Sequence, residues 1–91
     1  MRTLIYFTRE LPGISEELSA AGFQVFEALS ISEVFYLAEQ QQGAHIIVDH
    51  TVEEDAAHEV AHHHITLRLQ PNANAANVLW EVSNFQSGPL Q

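Results

Sequence analysis

Cysteine is absent from the chain, and so is lysine. Without cysteine there can be no disulfide, no thiolate metal ligand and no cysteine nucleophile. That absence also fits a reducing compartment. Without lysine the cations are Arg2, Arg9 and Arg68, set against 12 Asp and Glu in 91 residues, for a formal net charge of -9. Nucleic-acid binding draws on cations that displace counterions from phosphates, and attraction to an anionic membrane surface needs the same charge. Neither fits this composition. Long apolar runs are lacking too: nothing approaches the roughly 18 apolar residues of a membrane span. The opening Met1-Arg2-Thr3-Leu4 has neither the charged region nor the apolar stretch of a signal peptide. A cytoplasmic protein is the expectation. The scattered Gly13, Gly22, Gly43 and Gly88 form no phosphate-binding loop, and the few serines form no nucleophile motif.

What is present is a globular composition, 46% hydrophobic, enough for a folded core and long enough for one domain. We expect that domain over residues 1–86 and a flexible tail over 87–91. The chain alternates apolar runs with amphipathic stretches. Thr3 to Thr8 and His45 to Asp49 are compact apolar runs that fit buried central strands. Phe23 to Leu29, which carries Gln24 and Glu27, fits an edge strand. Ile65 to Gln70 alternates Ile65, Leu67 and Leu69 with polar residues, as a half-exposed edge strand does.

Helices are expected between and after the strands. The first runs from about Leu11 to Ala21, with Pro12 in its first turn and Gly22 as its stop. The second opens on the capping box Ser30-x-x-Glu33, and Thr51 with Glu54 repeats that pattern for the third. The third helix is expected to bury Val52, Ala56, Val60 and Ala61. The last begins near Asn74 and carries Val78, Leu79, Val82 and Phe85.

Strand-helix alternation of this kind implies a three-layer α/β/α domain with a parallel sheet and right-handed crossovers. With the apolar strands central, the spatial order is 2-1-3-4. The chain order reverses between strands 1 and 3, and ligands in such sheets bind at the carboxyl ends of the strands there. The residues at that cleft are Thr8, Arg9, Glu10, Asp49 and His50, with Gln70 at the end of the fourth strand.

Three segments resemble the receiver domain of bacterial response regulators. Gly43-Ala44-His45-Ile46-Ile47-Val48-Asp49 is similar to the third receiver strand, which ends on the phosphorylated aspartate. Ala21-Gly22-Phe23-Gln24-Val25-Phe26-Glu27-Ala28 is similar to the turn into the second strand. Leu67-Arg68-Leu69-Gln70-Pro71 is similar to the fifth strand and its Lys-Pro turn. The resemblance implies a shortened, flavodoxin-like fold in which Asp49 is equivalent to the phosphoacceptor. Two positions depart from the pattern. Thr8-Arg9-Glu10 offers one carboxylate where a receiver has an acidic pair for Mg²⁺, and Gln70 stands in place of the phosphoryl-binding lysine. About one strand-helix unit is also missing.

The segment His58-Glu59-Val60-Ala61-His62-His63-His64 is the most unusual feature. On a helix His58 and His62 lie one turn apart, the spacing of two metal-ligating imidazoles. Glu54, four residues earlier, or His50 would complete a Zn²⁺ or Ni²⁺ site. The string also matches His-Glu-x-x-His, but proteolysis needs a third ligand and a substrate cleft. Histidines at the end of a helix also meet the negative end of its dipole. Trp80 and Tyr36 lie off the apolar stripes of their helices and are candidate interface anchors. Three functions follow as expectations. The first is a non-enzymatic receiver-like interaction module with a protein partner, a homodimer in the simplest case. The second is a metal-binding module built on the histidines, and the third a weak phospho-receiver at Asp49.

Overall fold

In the computed structural model residues 2–10 and 13–87 are described, the last five by their backbone alone. The elements run β1 (Thr3–Phe7), α1 (Ser15–Ala20), β2 (Gln24–Ala28), α2 (Ile31–Gln40), β3 (His45–Val48), α3 (Glu54–His63), β4 (Thr66–Arg68) and α4 (Ala75–Ser87). The four strands form one parallel sheet in the order β2-β1-β3-β4. This is the flavodoxin-like three-layer arrangement expected from the strand-helix alternation. The helical span of α4 extends through Ser87, one residue past the expected domain end. Residues 88–91 of the expected tail, like Leu11 and Pro12 of the expected first helix, lie outside the described residues.

The alternation of side chains along β1 and β3 builds two cores. Ile5, Phe7, Ile46 and Val48 point to the layer holding α2 and α3, where Val34, Ala56, Ala57 and Val60 meet them. Leu4, Tyr6 and Ile47 point to the layer of α1 and α4, against Leu18, Val78 and Val82. A strand buried on both faces has no polar side, which is why these two segments read as unbroken apolar runs. The small Ala56 and Ala57 on α3 permit close approach to the sheet. Ala57 takes the inward position expected of Ala61, which is exposed.

Helix starts follow side-chain chemistry only in part. At α2 the Ser30 hydroxyl accepts the Glu33 amide at 3.2 Å, as the capping box predicts, while the Glu33 carboxylate accepts the Leu29 amide at 2.8 Å, one residue before the N-cap amide the box would use. Asn74 and Asn77 exchange side chain to backbone bonds of 2.9 and 3.0 Å at the start of α4. The capping box expected of Thr51 and Glu54 does not form. The α3 N-cap is Glu53, without a side-chain cap, because the Thr51 hydroxyl is occupied by Thr8 and by the Arg9 amide.

Three expected packing positions are corrected. The first helix starts only at Ser15, because Gly13 takes a positive φ of 54° where its chain passes the Tyr6 hydroxyl. Ile65 is 77% exposed rather than inward. It precedes the three-residue β4, whereas Leu67 and Leu69 join the core. Leu79 is exposed as well, since Val78 and Val82 fill the inward stripe of α4. Phe85 lies among the residues described by backbone alone. No helix among the described residues is long and apolar enough to cross a membrane.

Candidate functional site at the strand carboxyl ends

The sheet register places the ends of β1 and β3 side by side, with Phe7 opposite Val48. The residues that follow, Thr8 and Asp49, therefore become neighbours. The Asp49 amide donates to the Phe7 carbonyl at 2.9 Å, extending the ladder by one residue. Asp49 is 5% exposed and Thr8 is fully buried.

A carboxylate this buried must find donors, and both Asp49 oxygens do. Oδ2 accepts the Tyr6 hydroxyl at 2.5 Å. Oδ1 accepts the Thr51 amide at 2.6 Å, closing a tight turn after the strand. His50, largely exposed, brings Nδ1 within 3.4 Å of Oδ1. The Tyr6 hydroxyl in turn accepts the Ile14 amide at 3.2 Å. Burial pushes the Asp49 carboxyl up, but the bonds from Tyr6 and Thr51 and the nearby His50 outweigh it, and its pKa lies below the usual aspartate value. Tyr6 moves the other way. Burial, together with its bond to the Asp49 carboxylate, pushes the phenol up to about 12.

The β1 side is organised by hydroxyls and one guanidinium. Thr8 Oγ1 lies 3.0 Å from Thr51 Oγ1 and accepts the Glu10 amide at 3.1 Å. Arg9 forms a two-pronged pair with Glu53, Nε to Oε1 at 3.1 Å and a terminal nitrogen to Oε2 at 2.8 Å. Its other terminal nitrogen donates to the Leu29 carbonyl at 2.6 Å. Its guanidinium carbon sits 5.1 Å from the centre of the Phe7 ring. Pairing with Glu53 holds the Arg9 proton more tightly than usual, and pairing with Arg9 lowers the Glu53 carboxyl. Arg9 thus ties the β1, β2 and α3 ends together.

Beside Asp49 lies a pocket of about 60 Å³, lined in part by Tyr6, Gly13, His50 and Gln70. Of the expected cleft residues, Thr8, Arg9, Asp49, His50 and Gln70 therefore do converge on one end of the sheet. Glu10 is exposed and joins them through its backbone. Tyr6, Thr51 as a partner of Thr8, and Glu53 escape sequence reasoning. A tyrosine inside an apolar strand is the one available signal, since its buried hydroxyl must have a partner.

The Mg²⁺ that a receiver holds does not fit these residues. A hard cation needs several oxygen ligands. Each Asp49 oxygen already accepts a hydrogen bond, the neighbouring Thr8 carries no charge, and Arg9 places a cation at the same edge. Gln70 brings no charge to hold a phosphoryl group.

The histidine segment occupies the end of α3 and the residue after it. Among the described residues no three His, Asp or Glu side chains come together as a metal site. His63 instead lies 3.5 Å from Glu59 and packs edge-on to Phe35, with ring centres 5.3 Å apart. Its ring also meets His62 edge-on at 5.2 Å, and His64 lies tilted against Phe35 at 5.6 Å. The two candidate anchors are exposed, Tyr36 by 63% and Trp80 by 65%. They belong to α2 and α4, on opposite layers, so they form no common patch.

The chain matches no protein-family model, no curated protein and no solved structure.

Proposed function

We propose that this protein is a receiver-like interaction module, cytoplasmic and non-enzymatic. It acts through contacts with protein partners, a second copy of itself included, rather than through a phosphorylated aspartate. One observation carries the reading: both oxygens of the buried Asp49 are bonded within the fold, to Tyr6 and to Thr51. An aspartate that attacks a phosphoryl donor needs a divalent cation beside it, because charge on the transferring group has to be neutralised, and the bonds from Tyr6 and Thr51 use lone pairs that would otherwise ligate that cation. Here the carboxylate instead closes the end of β3. The uncharged, buried Thr8 beside it and the Arg9–Glu53 pair support the same reading.

The test is incubation with acetyl phosphate and Mg²⁺, followed by intact-protein mass measurement. The expected result is no phosphoryl adduct. A Mg²⁺-dependent adduct that disappears in Asp49→Asn would overturn the proposal.

A further inference from the structure

The pocket of about 60 Å³ at the strand ends has a fixed negative charge in its wall, the Asp49 carboxylate. Asp49 is 5% exposed, and its lowered pKa means that it carries a charge at neutral pH. A carboxylate offers about four lone-pair sites. The Tyr6 hydroxyl and the Thr51 amide each use one, on different oxygens, so sites are left for a further donor. Among the described residues around the pocket none is lysine or arginine. Arg9 is held by Glu53 and the Leu29 carbonyl, and Arg68 donates to the Val52 carbonyl at 2.7 Å. His50 Nδ1 stands 3.4 Å from Oδ1 and is a cation only when protonated. A buried carboxylate beside an open space is completed by a cation that also donates hydrogen bonds.

The other walls limit what that cation can be. Ile14, Leu69 and Pro71 are apolar, and the exposed Gln70 adds an amide that can accept a hydrogen bond. A divalent ion needs several oxygen ligands. An ammonium needs only acceptors for its N–H groups, and its alkyl stem packs on apolar walls. At about 30 Å³ for a water-sized group, the pocket holds an ammonium and the carbon next to it. A free amine of that size has too few atoms to bind more tightly than about 1 mM. Tighter binding needs a stem that continues into a larger body outside the pocket. The net charge of -9 draws a basic body to this surface. A second copy of the chain cannot supply the group from a side chain, because the chain contains no lysine.

We infer that the Asp49 pocket receives a lysine side chain from a basic protein partner, with its ammonium bonded to Asp49 and Gln70 as the second acceptor. This inference rests on the interaction-module reading above and gives the chemistry of the partner. Tyr6 and Thr51 hold the carboxylate in place before the partner arrives, so little ordering remains to oppose binding. The contact is a charge-assisted hydrogen bond, and no covalent step is involved.

The probes are a blocked peptide with one lysine between arginines and the same peptide acetylated at the lysine Nζ. Each is titrated into isotope-labelled protein and followed by the amide resonances. We expect the lysine peptide to shift the amides of Gly13, Asp49, His50 and Gln70. Acetylation should weaken its binding more than about tenfold, although the arginines keep their charge. Asp49→Asn removes the charge and should weaken it by a similar factor. Gln70→Lys, at an exposed position, places an ammonium of the chain's own beside Asp49 and should also displace the peptide, with the fold intact by circular dichroism. That variant decides the matter even where Asp49→Asn fails to fold. A peptide that moves no pocket amide, an acetylated peptide that binds equally well, or a Gln70→Lys protein that binds as the wild type does overturns the lysine site. Spermidine binding as tightly as the peptide would assign the pocket to a free amine and overturn the protein partner. None of these results touches the module reading, which falls instead to phosphoryl labelling of Asp49.

Discussion

At the scale of single residues, the Tyr6 hydroxyl ties the site to the core. It donates to Asp49 and accepts from Ile14, joining β1, β3 and the chain before α1. Tyr6→Phe keeps the ring and strands a buried carboxylate oxygen, which costs about 1–3 kcal/mol. The pH dependence separates this loss from ordinary packing. The Tyr6 phenol stands at about 12 in the fold against 10.0 when unperturbed. A raised pKa contributes stability fully present below pH 10 and lost as pH climbs towards 12. Asp49 has the opposite sign: its lowered pKa contributes stability present above its ordinary value of 3.8 and lost as pH falls further. Urea unfolding at pH 9 and pH 11 checks the first half. The wild type should weaken between them more than Tyr6→Phe does. Equal weakening would mean that the phenol contributes no linkage.

At the scale of elements, the entry to α1 depends on a close approach. Gly13 has φ 54°, and a Cβ there would overlap the Tyr6 hydroxyl. Gly13→Ala therefore combines backbone strain with displacement of that hydroxyl, at a cost of about 2 kcal/mol or more. The checks are a lower urea midpoint and a weaker alkaline transition, since the phenol would no longer be held. A midpoint unchanged from wild type would show that the turn relaxes freely. Elements defined by pattern are legible in the sequence. The apolar runs of β1 and β3 place them at the centre, and Ser30 with Glu33 marks the start of α2. Elements shaped by distant contacts are not. The late start of α1 depends on a tyrosine in β1, and the missing cap of α3 depends on Thr8 and Arg9 drawing Thr51 away. The site divides in the same way. Asp49, Thr8 and Arg9 are legible because strand order fixes which strand ends meet. Tyr6 with Asp49, and Arg9 with Glu53, are pairs 43 and 44 residues apart, and sheet register rather than local spacing brings them together.

At the scale of the whole molecule, charge sets the terms of association. The molecule measures 32 × 25 × 23 Å and has a net charge of -9. At 0.01 M salt the screening length is about 30 Å, so nearly every acid repels every other one, within a copy and between two. At 0.15 M the length falls to about 8 Å, and only near neighbours interact. A contact between copies built on exposed apolar side chains such as Tyr36, Ile65 or Trp80 is not weakened by salt. Its opposing term is the repulsion that salt removes. Association should therefore strengthen as salt rises from 0.01 to 0.15 M, and the urea midpoint of dilute protein should rise with it. An interface built on ion pairs, such as acidic helices of one copy against Arg2 and Arg9 of another, would weaken over the same range. Sedimentation equilibrium at the two salt concentrations decides between them by sign. A smaller dissociation constant at the higher salt fits an apolar contact, and a larger one assigns the contact to the charged surface instead.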